Sequence, residues 1–85
     1  MSENQSIEDR VIKVVKYEMR SDVDGINGDT RFVEDLGADE LDMIEFVIAL
    51  EEEFGFEIMP EDSDKFEKVG DVISHIKKKA ELFNG

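Results

Sequence analysis

The sequence predicts a small all-α protein: a bundle of three main helices plus one short helix. Three stretches carry apolar residues at helical spacing, and no stretch alternates apolar and polar residues as a half-buried strand would. Clusters of turn-forming residues separate these stretches. The chain has 85 residues, of which 40% are hydrophobic, so it can bury one modest core. We therefore expect a single domain over residues 1–85.

The first helix is predicted to begin after Ser6, because Ser6 and Asp9 have the spacing of a helix N-cap and its partner. Apolar side chains then recur along one face. These are Ile7, Val11, Val14, Val15 and Met19. We expect this helix to end near Arg20.

Residues 21–37 are predicted to form a long loop. Its turn-forming residues are Asp22, Asp24, Gly25, Asn27, Gly28, Asp29 and Gly37. Four apolar residues, Ile26, Phe32, Val33 and Leu36, are expected to anchor the loop to the core. Loops of this length in small domains tend to be functional or well packed.

The central helix carries the clearest local signals. Asp39 suits the N-cap position, Asp42 lies three residues later, and Gly55 supplies a C-terminal stop after Phe54.

A turn or a single short helical turn is predicted around Asp62–Glu67, after Pro60. A last helix is predicted from Val69 or Gly70 to about Phe83. Its core stripe is Val72, Ile73, Ile76 and Ala80, and Lys77, Lys78 and Lys79 are placed near its C-terminal end.

The central helix has two apolar stripes rather than one. At about 100° per residue, one arc suits a buried face. It contains Met43, Phe46, Val47, Leu50 and Phe54. Leu41, Ile44 and Ile48 fall in a second arc, which is surrounded by Glu40, Glu45, Glu51 and Glu52. Scattered surface isoleucines are ordinary, but apolar residues ringed by acids on one face favour a docking surface for a basic partner.

The charge is concentrated in the same part of the chain. The formal net charge is -13, and residues 29–64 contain fourteen acidic residues against one basic residue, Arg31. Nucleic acid is therefore an unfavourable partner, because its phosphate backbone is bound by neutralising it with Lys and Arg.

No apolar run is long enough for a membrane span, and the N-terminus does not resemble a secretory leader. We expect a monomer located in the cytoplasm, without a membrane span.

Catalytic and metal sites find little support in the sequence. There is no cysteine and only one histidine, His75, so a transition-metal site is not expected. A calcium loop starting at Asp22 fails because Ile26, Asn27 and Val33 stand at positions 5, 6 and 12, where that loop needs an oxygen ligand, a glycine and a glutamate. We predict no metal, no catalytic residues and no enzymatic activity.

The segment from Asp29 to Asp39, followed by Leu41-Asp42 and the run from Glu45 to Phe54, closely resembles acyl carrier proteins. The resemblance continues through Glu57-Ile58-Met59-Pro60 and Val69-Gly70-Asp71-Val72, and so covers nearly the whole chain. It implies an acyl-carrier-protein-like bundle whose interior can sheath an acyl chain, and a role in fatty-acid or related acyl-chain biosynthesis. It also implies that basic surfaces of acyl-carrier-dependent enzymes dock on the second helix. The partner-binding residues implied are Asp39, Asp42, Ile44, Glu45, Ile48, Glu51 and Glu52.

One residue departs from the family's pattern. The family signature is Asp-Ser-Leu, in which the serine hydroxyl carries 4'-phosphopantetheine through a phosphodiester, whereas this chain reads Asp39-Glu40-Leu41. A carboxylate cannot form that stable phosphodiester, so attachment is predicted to be lost at Glu40 and no cofactor is expected on this chain. A glutamate in the first helical turn is structurally favourable, worth roughly 0.3–1 kcal/mol through the helix dipole.

Three functions are compatible with this pattern. The chain is an acyl carrier protein homologue that acts by protein–protein contact, an ordinary carrier whose serine has been deliberately replaced, or an acidic decoy of a basic partner. The loop and core residues Phe32, Leu36, Gly37, Leu41 and Pro60 favour the first two over a simple acidic mimic.

Overall fold

A computed structural model of the chain describes residues 6–19 and 25–84. Within these residues four helices follow one another: α1 (Ile7–Met19), α2 (Glu40–Phe54), α3 (Pro60–Ser63) and α4 (Val69–Asn84). Apart from these helices, the described residues contain one isolated antiparallel β-bridge, between Arg31 and Lys68. The predicted all-α fold of three main helices and one short helix is therefore confirmed. None of the described helices is long and apolar enough to cross a lipid bilayer.

Helix α2 starts and stops at the predicted residues. The Asp39 side chain accepts a hydrogen bond from the Asp42 N–H, and the Asp42 side chain accepts one from the Asp39 N–H, which completes a capping box. At the other end Gly55 adopts a left-handed conformation, with φ of 79°, and its N–H donates to the Glu51 carbonyl. Local capping chemistry thus determines both ends of the helix.

The core lies where α1, α2 and α4 meet. Its fully buried side chains come from all three helices and from the long loop. They are Phe32, Phe46, Leu50, Ile76, Val11, Val15, Val69 and Val72. The rings of Phe32 and Phe46 lie 5.1 Å apart between centroids, so the loop is tied to the buried face of α2. The predicted buried stripe of α2 is also confirmed, since Met43, Val47 and Phe54 are partly buried against this core.

The long loop is attached to the start of α4 by its backbone. The Phe32 N–H donates to the Glu67 carbonyl, and the Val69 N–H donates to the Thr30 carbonyl. Gly70 approaches Gly28 so closely that a Cβ on Gly70 would lie 2.9 Å from the Gly28 carbonyl oxygen. Ile26 and Phe32 are buried anchors as predicted, but Val33 is 64% exposed and does not anchor the loop. The predicted helix end at Arg20 and the predicted loop residues Asp22 and Asp24 lie outside the described residues.

The prediction for α3 was wrong in its bounds. The helical turn occupies Pro60–Ser63 rather than Asp62–Glu67. Pro60 is the first helical residue, where its fixed φ suits a helix and its missing N–H costs nothing. Further turns follow it, in which the Lys65 N–H donates to the Asp62 carbonyl and the Phe66 N–H donates to the Ser63 carbonyl, before Lys68 pairs with the loop at Arg31.

Helix α4 begins at Val69 as predicted and continues to Asn84, so its three lysines occupy its middle turns. No basic residue lies in its last turn, which corrects the predicted position of Lys77, Lys78 and Lys79 near the C-terminal end. The Asp71 side chain accepts hydrogen bonds from the Glu67 and Lys68 N–H groups and thereby orders the start of the helix.

Candidate functional site

The outward face of α2 carries the candidate site. Leu41, Ile44 and Ile48 are 60%, 53% and 50% exposed, whereas Phe46 and Leu50 on the opposite face are fully buried. The two stripes predicted for this helix are therefore distinct in the structure. One of them forms the core and the other presents apolar side chains to solvent, which is what a docking surface requires.

Carboxylates border this exposed apolar row on both sides. At about 100° per residue, Glu40 and Glu51 lie along one edge of the row and Glu45 and Glu52 along the other. The carboxylates of Glu40, Glu45 and Glu52 make no hydrogen bond or ion pair with any described residue. Within the part of the chain that the structure describes, these three charges therefore remain available to a partner.

Three of the acidic residues predicted to bind partners also accept hydrogen bonds that stabilise the fold. Asp39 and Asp42 cap α2, as described above. One carboxylate oxygen of Glu51 accepts a hydrogen bond of 2.8 Å from the Ile58 N–H, which holds the chain after α2 in place. Sequence reasoning missed this contact, because no local pattern links residues seven apart across the end of a helix.

Glu40 is the first residue of α2, and its side chain is exposed. It also lines a groove of about 390 Å³ between α2 and α3. The groove has an apolar floor with polar groups beside it. Its lining consists of Glu40, Met43, Ile44, Val47, Ile48, Ile58, Pro60, Ser63 and Asp64. The Ser63 hydroxyl, which also borders this groove, donates to the Pro60 carbonyl.

A second contact that sequence reasoning missed supports the far end of α2. The Arg10 guanidinium donates to the Glu53 carboxylate at 2.9 Å and to the Glu53 carbonyl at 2.8 Å. It also lies 4.4 Å from the centroid of the Phe54 ring. Arg10 therefore joins α1 to the last turn of α2, and Glu53 is not available to a partner.

His75, the only histidine, packs against the buried ring of Phe66, with 5.6 Å between ring centroids. Its Nε2 atom is buried and has no hydrogen-bond partner among the described residues. Burial lowers the pKa of His75; the nearby Asp62 carboxylate opposes this shift, while Lys79 and Lys78 add to it. His75 is therefore a packing residue in this structure.

We expect His75 to make stability depend on pH. In the unfolded chain the imidazole takes up a proton near pH 6.5, but in the folded protein it does so only at lower pH. Its contribution to stability is thus present above pH 6.5 and is lost as the pH falls through that value towards the folded pKa. Urea denaturation at pH 7.5 and 5.5 should show a loss of stability at the lower pH that is smaller in His75→Gln. Identical pH dependence in the two proteins would contradict this account.

In the described part of the chain, no group of three or more histidine, cysteine, aspartate or glutamate side chains could hold a metal ion. The acidic residues of α2 are instead spread along both edges of its exposed apolar row. The arrangement suits recognition of a positively charged surface better than binding of a single ion.

Comparison with known proteins assigns the chain to a family. A family model described as "Phosphopantetheine attachment site" matches residues 9–76. The chain is 45% identical over 74 residues to an acyl carrier protein of Solidesulfovibrio magneticus, covering 87% of this chain and 95% of that one. It is 41% identical over 78 residues to an acyl carrier protein of Akkermansia muciniphila, covering 92% and 96%.

The fold agrees with these relatives. A solved structure of a candidate acyl carrier protein from Mycobacterium tuberculosis superimposes with a TM-score of 0.80 at 29% identity, and the match covers 86% of this chain and 97% of that one. The resemblance found in the sequence is thereby confirmed in both sequence and fold. The chain belongs to the acyl carrier protein family.

Proposed function

We propose that this chain is an acyl carrier protein homologue that carries no 4'-phosphopantetheine at residue 40 and acts by contact with acyl-carrier-dependent enzymes. The observation that carries the proposal is the exposed face of α2, where carboxylates without a partner among the described residues flank Leu41, Ile44 and Ile48. Such a face is complementary to a basic surface that has apolar residues at its centre. By family, the pathway is fatty-acid or related acyl-chain biosynthesis.

The chemistry at residue 40 does not fit attachment of the family's cofactor. Attachment needs a hydroxyl oxygen that forms a new bond to phosphorus while the rest of coenzyme A leaves. Glu40 offers a carboxylate at this position, and an acyl phosphate formed there would hydrolyse readily. The Asp39-Glu40-Leu41 sequence therefore supports a role in which the chain is recognised but not loaded.

Mass spectrometry after incubation with coenzyme A and a phosphopantetheinyl transferase tests this proposal. We expect no mass gain for the unsubstituted chain and a gain of one phosphopantetheine group for Glu40→Ser, because the substitution supplies a hydroxyl at residue 40. Glu40→Ala is the matched control, since it removes the carboxylate without supplying a hydroxyl.

Ser63 provides a second control, because its hydroxyl lies on the same groove as Glu40. The double variant Glu40→Ser/Ser63→Ala should be loaded as fully as Glu40→Ser. Loading of the unsubstituted chain would overturn the proposal. If that loading were absent in Ser63→Ala, Ser63 would be identified as the attachment site used instead.

The proposed docking residues are Asp39, Asp42, Ile44, Glu45, Ile48, Glu51 and Glu52. Among them, Glu45, Glu52, Ile44 and Ile48 have exposed side chains that make no hydrogen bond or ion pair with other described residues, so they are proposed to supply most of the contact. Asp39, Asp42 and Glu51 contribute charge from positions that the fold holds rigid. Failure to bind any acyl-carrier-dependent enzyme would instead favour an acidic decoy of another basic protein.

A further inference from the structure

Among the described residues, Glu40 has the one carboxylate at the start of α2 without a hydrogen-bond or ion-pair partner. The carboxylates on either side of it in the sequence, Asp39 and Asp42, are both occupied by the capping box. The remaining structural contribution of Glu40 is the modest one expected of any acidic residue in a first helical turn.

The size and charge of a glutamate side chain match those of a serine phosphodiester. In a serine phosphodiester the phosphorus lies two bonds beyond Cβ, through Oγ. In Glu40 the carboxyl carbon lies two bonds beyond Cβ, through Cγ. Both groups present two terminal oxygens that share one negative charge. Glutamine would keep this shape without the charge, and aspartate would keep the charge one bond closer to the backbone.

The surroundings of Glu40 suit a basic side chain. The groove beside it has Met43, Val47 and Ile58 in its lining, and Asp64 adds a second carboxylate. An arginine or lysine can lay its methylene stem along such an apolar surface and place its charged end on a carboxylate. The groove therefore favours a cationic side chain from a protein partner over an anionic small molecule.

We propose that the Glu40 carboxylate takes the place of the phosphodiester of a loaded carrier and pairs with the basic residue of an acyl-carrier-dependent enzyme that contacts that phosphate. This inference rests on the proposed function, because it concerns the same docking face. It implies that the chain permanently presents a negative charge that its loaded relatives acquire only by modification. The chain would then compete with loaded carriers for their enzymes without delivering an acyl group.

Binding measurements on four forms of residue 40 test the inference. The probe is a ketoacyl synthase chosen because it binds the Glu40→Ser protein after that protein has been loaded with phosphopantetheine. Its affinity for the natural chain, Glu40→Gln, Glu40→Asp and unloaded Glu40→Ser is measured by calorimetry at low salt. Loss of a charge-assisted pair should weaken binding by roughly tenfold in Glu40→Gln and in unloaded Glu40→Ser. Glu40→Asp should be intermediate, because its carboxylate falls short of the basic residue.

Glu81→Gln is the matched control, because Glu81 is an exposed glutamate on α4 and its loss changes the net charge equally. It should bind as tightly as the natural chain. Circular dichroism of each variant verifies that the helices are retained.

Two results would contradict the inference in different ways. Equal affinity of the natural chain and Glu40→Gln, with binding still weakened by Glu45→Lys, would overturn the role of Glu40 and leave the docking face intact. Absence of binding by the natural chain would overturn the proposed function, and with it the inference.

Discussion

Replacing Phe46 with alanine should destabilise the protein more than any other single truncation on α2. Phe46 is 0% exposed and packs against Phe32, so removing its ring opens a cavity between the helix and the loop. Phe-to-Ala changes in cores cost about 3–5 kcal/mol. Small domains typically have only about 5–15 kcal/mol in total, and those of this length lie towards the lower end. Urea denaturation followed by circular dichroism should show a much lower midpoint, with a substantial unfolded population even without denaturant.

Ile44→Ala is the matched control for this prediction. Ile44 lies on the same helix two residues earlier, but it is 53% exposed. Its truncation should change the free energy of unfolding by no more than about 0.5 kcal/mol, as is usual for surface positions. A loss of stability at Ile44 as large as that at Phe46 would show that both faces of α2 are packed, and would contradict the free docking face.

Reversing the charges of Glu45 and Glu52 should have the largest effect on binding. Both carboxylates border the exposed apolar row and have no partner within the described residues. Replacing both with lysine turns attraction to a basic enzyme surface into repulsion, and we expect the affinity for the ketoacyl synthase to fall by roughly tenfold to a hundredfold. Most of the loss should appear in the association rate, and the binding should become less sensitive to salt. Surface plasmon resonance at several salt concentrations measures both quantities.

Glu52 is preferred to Glu51 for this test because of the structure. Glu51 accepts a hydrogen bond from the Ile58 N–H, so a lysine there would also disturb the segment between α2 and α3. The double variant Glu8→Lys/Glu81→Lys is the control, since it changes the net charge equally on exposed residues of α1 and α4. If the control weakens binding as much, attraction arises from net charge alone and the docking face is not specific.

Under the proposed function, loading and contact depend on different atoms and can be separated. Loading needs a hydroxyl at residue 40, whereas the proposed contact uses the Glu40 carboxylate together with charged and apolar side chains further along α2. A glutamate at the first helical position is compatible with the helix, since the capping box is formed by Asp39 and Asp42. We therefore expect Glu40 to prevent loading while the fold is kept.

Local signals in the sequence predicted most of the helices. Capping residues and turn glycines act within about four residues of one another, so the ends of α2 could be assigned without knowledge of the fold. Helical periodicity separated its buried stripe from its exposed one, and the burial of Phe46 and Leu50 agrees with that division. The short helix was placed too late because its bounds depend on the loop that pairs with the segment after it.

Local sequence patterns were sufficient to assign the all-α class, the start and end of α2, the concentration of charge between residues 29 and 64, and the glutamate at position 40. Packing, by contrast, sets which carboxylates have a partner among the described residues. Glu53 is engaged by Arg10 and Glu51 by the Ile58 N–H, whereas Glu40, Glu45 and Glu52 face solvent. The physical reason is that an acidic residue looks the same in sequence whether or not it has a partner. Its availability depends on donors brought close by packing, and the residues that carry those donors lie 43 and 7 positions away along the chain.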